Sequence, residues 1–250
     1  MLTSVRSLLA ATVLAGSALA ATPAFAQDEE ATPGLSVSGN VALVTDYRFR
    51  GVSLSGGDMA LQGGIDLGID QGFYVGTWAS SLVGGTPYGE LEVDVYGGWS
   101  GDVAPGVTVD VGLLYYLYPT GDTGIDTDYF EPYASIATTV GPVSATLGAA
   151  YAWDQNSLGD NDNLYVYTDF ELGIPKTPVT VTAHLGYTDG VLAPPLLAGT
   201  GDDSGLDWSL GASTTLIGGL SLGVSYVGVE GPSIDGFTDD AIVGTLSFSM

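Results

Sequence analysis

The chain has 250 residues, with 29 Asp or Glu against four Lys or Arg, so its formal net charge is −25 at pH 7. This charge excludes nucleic acid as a partner, because binding to phosphates needs a basic surface. The absence of cysteine excludes disulfides and thiol chemistry. A hydrophobic share of 45% argues against disorder, which is the other interpretation of a chain rich in Gly and acidic residues.

The first residues have the pattern of a secretory signal peptide. Arg6 supplies a positive charge, residues 8–20 form an apolar run, and Ala24-Phe25-Ala26 has the small-x-small pattern of a cleavage site. We therefore predict a cleaved signal over 1–26 and a single domain over 27–250. No later apolar run is long and uncharged enough to predict a helical membrane anchor.

Beyond the signal, the chain alternates apolar residues with small or polar ones. Val179, Val181 and Leu185 share one face of a strand, for example, whereas Thr180 and Thr182 share the other. Alternation with a period of two predicts β-strands with one face against an apolar medium. The predicted strands cover residues 35–45, 59–70, 72–81, 89–100, 106–118, 128–140, 142–153, 163–173, 178–188, 207–217, 219–229 and 240–249.

The connections between these strands alternate in length. Those after even-numbered strands are short, such as Gly141-Pro142 and Gly218-Gly219, and those after odd-numbered strands are longer, such as 119–127 and 189–206. Bacterial outer-membrane barrels have short periplasmic turns, long outer loops and an even number of strands. The sequence thus predicts an all-β protein: an up-and-down antiparallel transmembrane β-barrel of about 12 strands. It would lie in the cell outer membrane, in contact with lipid, with both termini periplasmic.

Aromatic residues on the apolar face collect near the ends of the predicted strands. Toward the outer end these are Tyr47, Tyr115, Tyr151, Trp153, Tyr187, Trp208 and Tyr226, and toward the periplasmic end Phe73, Trp99 and Phe248. Rings at both membrane–water interfaces form the girdles of membrane barrels. The aromatic pattern therefore predicts two such girdles.

Acidic residues occupy the opposite face of several strands. They are Asp66, Glu90, Glu92, Asp94, Asp110, Glu131, Asp169 and Glu171. Carboxylates at membrane depth are costly in hydrocarbon, so we expect them to face the interior, where a wet acidic wall attracts cations. The sequence predicts a porin-like channel for small hydrophilic solutes, with a cation preference and these residues lining the pore. The alternative is a closed barrel with a structural or surface-interaction role, whose inner acids pair with bases, share protons or bind metal ions.

The segment Thr45–Gly51 holds the only bases between the signal and Lys176. Its alternation predicts that Asp46, Arg48 and Arg50 point inward and line the interior with the acids, whereas Tyr47 and Phe49 point outward. Two hypotheses follow for the arginines. They form a constriction or bind a substrate carboxylate or phosphate, or else they clamp neighbouring acids such as Asp66 and fix the register of the first hairpin.

Four runs of the chain resemble the TorF family of proposed porins, a group of conserved hypothetical proteins of Gram-negative bacteria. The runs are VSGNVALVTDYRFRGVS (37–53), LQGGID (61–66), GFYVGTWAS (72–80) and EVDVYGGW (92–99). The resemblance is specific over 37–99 and rests on length and strand rhythm from residue 100 onward. It implies an outer-membrane β-barrel of porin type with poorly defined substrates.

Enzymatic chemistry is not predicted, because nucleophilic catalysis needs a base that activates the nucleophile. His184 is the only histidine, and its alternation places it on the inner wall with Thr180 and Thr182, where we expect it to be hydrogen-bonded. No His and Cys cluster suggests zinc, and no cofactor or metal is predicted. The acidic outer loops lack the spacing of a calcium loop, although loose bridging of divalent cations to lipid phosphates stays open, as does a homo-oligomer.

Overall fold

The computed structural model describes residues 34–84 and 87–250, so the predicted signal peptide lies outside the described residues. In chain order, the strands are β1 (Leu35–Val44), β2 (Arg48–Phe49), β3 (Val52–Ser53), β4 (Ala60–Ile69), β5 (Phe73–Ser81), β6 (Leu91–Ala104), β7 (Val107–Leu117), β8 (Tyr129–Val140), β9 (Val143–Gln155), β10 (Asn161–Gly173), β11 (Val179–Gly190), β12 (Ser204–Ile217), β13 (Leu220–Val229) and β14 (Ala241–Ser249). One short helix, α1, spans Pro194–Leu197. Single 3-10 turns occupy Asp70–Gly72 and Asn156–Leu158.

Twelve of these strands form one closed antiparallel barrel, and β2 and β3 form a small sheet of their own. Each barrel strand pairs with its neighbours in the chain, and β1 closes the ring by pairing with β14. The predicted up-and-down barrel is confirmed. Strand β6 is longer than predicted and runs to Ala104, because its hairpin with β7 turns only at Pro105-Gly106.

The two ends of the barrel differ as the sequence predicted. Short turns such as Gly141-Pro142 and Gly218-Gly219 lie at one end. Both described chain ends lie there too, since the carbonyl of Gly34 accepts from the Asp70 N–H in the first turn, and Met250 pairs with Gly39. The longer loops lie at the other end. Short turns are periplasmic in this class of barrel, so we name the end with the short turns the periplasmic end and the end with the long loops the outer end.

An apolar band surrounds the barrel. Every barrel strand contributes exposed large apolar side chains, among them Ile65 (55% exposed) and Leu210 (61%). A continuous apolar surface of this extent needs lipid around it, as in outer-membrane barrels. Tyr151 and Tyr226 lie exposed near the outer edge and Phe73 near the periplasmic edge, in agreement with the predicted girdles. None of the helices in the described residues is both long and apolar enough to cross a membrane.

Glycines on the inner face make room for tyrosine rings from the neighbouring strand. A Cβ at Gly148 would lie 2.1 Å from Cζ of Tyr167, and one at Gly112 would lie 2.4 Å from Cζ of Tyr133. The same relation joins Gly76 to Tyr96, Gly98 to Tyr74, and Gly186 to Tyr165. A ring above a glycine lies along the wall, so it covers the exposed backbone and leaves the lumen free.

The chain leaves the wall after β1 and enters the lumen as an inner loop, residues 45–58. Strands β2 and β3 pair at Arg48 with Ser53 and at Phe49 with Val52. Arg50 and Gly51 between them have φ of 47° and 79°, and positive φ at both central residues is typical of a tight two-residue hairpin turn. The predicted outward direction of Tyr47 and Phe49 is therefore wrong. Alternation assigns faces only while the chain stays in the wall.

Candidate functional site in the barrel interior

Arg48 anchors the inner loop near its start. Its Nε donates to the Asp46 carboxylate, and one terminal nitrogen donates to the carbonyl oxygens of Gly51 (3.2 Å) and Asp239 (2.6 Å). The other terminal nitrogen lies 3.1 Å from Oδ1 of Asp239. Asp46 in turn accepts from the Ser53 hydroxyl at 2.6 Å. The guanidinium thus ties both arms of the inner loop to the outer loop between β13 and β14.

Arg50 reaches the opposite wall from the tip of the inner loop. One terminal nitrogen donates to both oxygens of Glu131 on β8, at 2.8 and 2.7 Å, and the guanidinium carbon lies 4.2 Å from the ring centre of Tyr165 on β10. Burial by itself lowers the pKa of Arg50, but the Glu131 carboxylate outweighs this and leaves the pKa above its ordinary value. The tip is therefore held by a buried pair of charges.

These contacts favour the clamp hypothesis for the arginines. Both guanidinium groups are buried and paired within the chain, so neither is presented to a solute in this structure. The predicted partner, Asp66, is wrong, because its carboxylate accepts from the Tyr96 hydroxyl at 2.5 Å instead. The arginines fix the inner loop rather than the register of the first wall hairpin.

Aromatic side chains pack around the inner loop in the outer half of the interior, the half toward the long loops. The Tyr47 hydroxyl donates to Glu92 at 2.7 Å, and its ring lies 5.5 Å from that of Trp78. Phe49 meets Tyr116 edge-on at 5.8 Å. A Cβ at Gly51 would lie 2.3 Å from Cγ1 of Val229 on β13. The inner loop thus touches the wall on several sides and crosses the lumen.

Two acidic residues of β6 lie buried next to the inner loop. Glu92 is 1% exposed and Asp94 is 2% exposed. Within the described residues, Oε2 of Glu92 and Oδ1 of Asp94 have no hydrogen-bond partner, and neither side chain joins an ion pair. A buried carboxylate oxygen without a partner is costly, because it has lost its hydration. The closed outer half therefore carries an electrostatic penalty.

The periplasmic half of the interior is polar and partly open to water. Its inner face carries Ser38, Ser100, Ser135, Thr146, Thr180, Thr182, Ser213 and Ser247, all of them half-buried. Asp66, Asp169 and Glu171 are half-buried there as well. Since these side chains keep part of their surface accessible, this half can hold water and solutes, unlike the outer half.

His184 lies on this wall between two carboxylates. Its Nδ1 is 2.6 Å from Asp169, and its Nε2 is 2.9 Å from Asp207 and 2.8 Å from the Tyr165 hydroxyl. The predicted hydrogen-bonded inner-wall histidine is thus found in place. A ring fixed on both nitrogens stabilises the junction of β10, β11 and β12.

The other predicted site residues are spread along the wall. Glu131 is buried in the outer half with Arg50, and Asp110 accepts from the Tyr74 hydroxyl at 2.8 Å farther down. Glu90 precedes β6 and is exposed at the outer end. No cluster of three or more His, Cys, Asp or Glu within 34–84 and 87–250 could hold a metal ion.

Tyrosines form a large part of the inner wall, although none of them was among the predicted pore-lining residues. They include Tyr74, Tyr96, Tyr116, Tyr129, Tyr133, Tyr165 and Tyr167, several of which bond to the inner acids. The signal was present, because Tyr96 shares the alternation of Asp94, and Tyr116 that of Asp110. An inner tyrosine keeps its hydroxyl in the polar interior and shields a carboxylate from its neighbours.

Comparison with solved structures shows that the fold is shared with porins. The NanC porin matches with a TM-score of 0.56 at 9% identity, covering 86% of this chain and 99% of that one. The KdgM porin matches with a TM-score of 0.57 at 10% identity, covering 85% and 97%. At such identities the likeness shows the fold alone.

No curated protein matches the sequence. The name TorF does not appear among the matches, so that part of the resemblance stays a prediction. A family model does match: residues 28–246 fit the one described as "Bacterial protein of unknown function (Gcw_chp)". The chain therefore belongs to the Gcw_chp family and has the fold of an outer-membrane β-barrel.

Proposed function

We propose that this protein is an outer-membrane channel for the passive passage of small hydrophilic solutes, with a preference for cations. The observation that carries the proposal is the acidic, water-accessible wall of the periplasmic half, where Asp66, Asp169 and Glu171 are half-buried. An acidic lining raises the local concentration of cations and repels anions. The apolar band around the barrel supports a membrane location.

The balance of charge inside the barrel supports the cation preference. Arg48 pairs with Asp46 and Asp239, Arg50 pairs with Glu131, and His184 lies between two carboxylates. Among the described residues, this leaves Asp66, Glu92, Asp94, Asp110 and Glu171 without a basic partner. The interior as a whole is therefore negative.

The acidic wall limits the class of solute, as a contrast with the ligand of one structural neighbour illustrates. One match is titled as the KdgM porin in complex with disordered oligogalacturonate. An oligogalacturonate carries a carboxylate on each sugar unit, and the acidic wall of the present barrel would repel it. We infer that the solutes here are neutral or cationic, although the fold is shared.

One observation favours a second candidate function, a closed barrel with a structural or surface-interaction role. The inner loop crosses the lumen and buries its charged side chains against several strands. A barrel of twelve strands lies between the eight-stranded barrels that side chains fill and the 16-stranded porins that hold an aqueous channel. Its width is thus compatible with either function.

Conductance separates the two candidates. We expect the refolded wild-type protein to give discrete current steps in a planar bilayer in symmetric KCl. In a KCl gradient, the reversal potential should have the sign of cation preference. A reversal potential of the opposite sign would contradict the argument from the acidic wall.

The wall acids are tested by charge removal. The triple variant Asp66→Asn, Asp169→Asn, Glu171→Gln should move the reversal potential toward zero. A matched control removes the same number of charges from exposed outer-loop positions, as Asp122→Asn, Asp126→Asn, Asp203→Asn. Loop charges are screened over roughly 8 Å at physiological salt, so the control should move the potential much less. Equal shifts in both variants would mean that the wall acids do not line the path.

A further inference from the structure

We propose that the inner loop is the gate of this channel: the structure shows the closed state, and the loop moves out of the lumen to open it. The proposal rests on the proposed function. In this proposal, the arginine pairs hold the inner loop in its closed position. A movable inner loop also explains how a barrel with a filled outer half and a wet periplasmic half can conduct.

The inner loop is attached to the wall in a way that permits movement. Strands β2 and β3 pair with each other and share no ladder with any barrel strand. Across the lumen the loop is held mainly by side chains, above all by Arg48 and Arg50. Its main chain bonds to surrounding loops through the Ser53 N–H to Phe237 and through the Val83 N–H to Leu54. The hairpin can therefore leave without breaking the barrel.

The return arm of the inner loop contains a hinge. Gly56 and Gly57 have φ of 70° and 79° and are exposed at the outer end. Consecutive glycines permit large changes of φ and ψ that other residues resist. At the other arm the chain leaves the barrel ladder at Thr45, whose N–H still bonds to Gly244. Motion about these two points would swing the hairpin toward the outer mouth.

Opposing electrostatic terms set the balance between the closed and open states. The paired arginines stabilise the closed state. The unpartnered oxygens of Glu92 and Asp94 destabilise it, because they are buried without hydration. Withdrawal of the hairpin removes Tyr47 from Glu92 and admits water to both carboxylates. Because the arginine pairs stabilise the closed position and the buried acids destabilise it, the inner loop can populate both a closed and an open state.

The open state would complete the cation path. Glu92 and Asp94 lie on the same face of β6, on the outer side of the acids of the periplasmic half. Once uncovered, they would line the outer half and extend the acidic wall through the barrel. The arginine pairs that hold the inner loop closed thus lie in the same outer half of the barrel as the carboxylates of Glu92 and Asp94.

A reversible tether tests the gate. Leu54 lies on the hairpin side of the two glycines, and its carbonyl oxygen accepts from the Val83 N–H at 3.0 Å. Two residues joined in this way lie within the Cα separation that a disulfide spans, and the chain has no cysteine of its own. We expect the oxidised Leu54→Cys, Val83→Cys variant to lose its openings in the bilayer and to regain them with a reducing agent. Each single cysteine variant under the same oxidant is the control and should conduct as the wild type does.

A second variant acts in the opposite direction. Arg50→Gln keeps the length of the side chain similar but removes the charge that pairs with Glu131. We expect its open probability to rise by roughly tenfold or more, which corresponds to a closed state weakened by about 1.4 kcal/mol. Lys176→Gln, in an exposed periplasmic turn, is the matched loss of one positive charge and should leave the open probability unchanged.

The outcomes distinguish the gate from the channel. If the oxidised double variant conducts like its reduced form, or Arg50→Gln conducts like the wild type, the gate is overturned and the channel stands. If the wild type, the reduced double variant and Arg50→Gln are all silent, both proposals are overturned. A silent wild type with a conducting Arg50→Gln variant would contradict the conductance expected of the wild type but support the gate, with a strongly closed resting state.

Discussion

The outer and periplasmic halves of the interior share the same wall strands but differ in what fills them. In the outer half, most of the inner loop, its arginines and a layer of aromatic rings are buried. In the periplasmic half, Ser, Thr and acidic side chains stay partly accessible to water. The strand alternation is identical in both. The difference therefore arises from a segment that leaves the wall, and strand patterning alone does not determine whether such a barrel is open.

The position of the few basic residues follows the same division. Arg48 and Arg50 both lie in the filled half, whereas the accessible carboxylates Asp66 and Glu171 have no basic partner in the described structure. Positive charge is thus concentrated where the lumen is crossed. Substitutions in each half test this difference.

Removal of Arg50 should have the largest effect on stability. Arg50→Ala leaves Glu131 buried without its partner, and breaking a buried pair from one side costs about 3–5 kcal/mol. We expect the free energy of unfolding in urea, measured on the refolded barrel by tryptophan fluorescence, to fall by an amount of this order. The double variant Arg50→Ala, Glu131→Ala should recover much of the loss.

Lys176→Asn is the control for this measurement, since Lys176 is exposed in a turn with φ of 66°. Asn tolerates such a backbone, and the change should stay within about 0.5 kcal/mol. A loss for Arg50→Ala no larger than that of the control would mean that the pair does not stabilise the filled half.

Much of the fold could be predicted, because it depends on local patterns. Period-two alternation and turn length specify the strands, the closed barrel and the direction of its ends. For residues within the barrel strands, such as Asp94 and His184, the predicted inward or outward direction of the side chain is correct. Tyr47 was assigned to the wrong face because the wall ends at Val44, and no periodic pattern marks that departure.

The partners of inner residues were less predictable, because they depend on distances across the lumen. Arg50 is 81 positions from Glu131 in the chain, and no local rule joins them. One local signal for the inner loop did exist: Arg50-Gly51 between two short β-prone pairs has the form of a two-residue hairpin turn. The inner tyrosines could also have been found from their alternation with Asp94 and Asp110.

A glycine at the boundary of the two halves should give an intermediate effect. Gly148→Ala places a Cβ 2.1 Å from the Tyr167 ring and forces that ring away from the wall, and overpacking of this kind costs about 1–3 kcal/mol. Gly173→Ala is the matched control, because a Cβ there meets nothing within 4 Å. Urea unfolding measures both. Equal losses would show that the ring adapts freely and that these glycines do not shape the wall.

The smallest effect on stability is expected in the periplasmic half itself. Ser213→Cys lies on the half-buried inner wall and should change the free energy of unfolding by no more than about 0.5 kcal/mol.

The thiol of Ser213→Cys should react readily with a charged, membrane-impermeant thiosulfonate, because reactivity requires access to water. Ser80→Cys, on the same face of the outer half but only 1% exposed, should react far more slowly. When Arg50→Gln is added, Ser80→Cys should react faster while Ser213→Cys stays unchanged, since only the outer half is covered by the inner loop. Similar reaction rates of Ser80→Cys and Ser213→Cys in the wild-type background would mean that the outer half is as accessible to water as the periplasmic half.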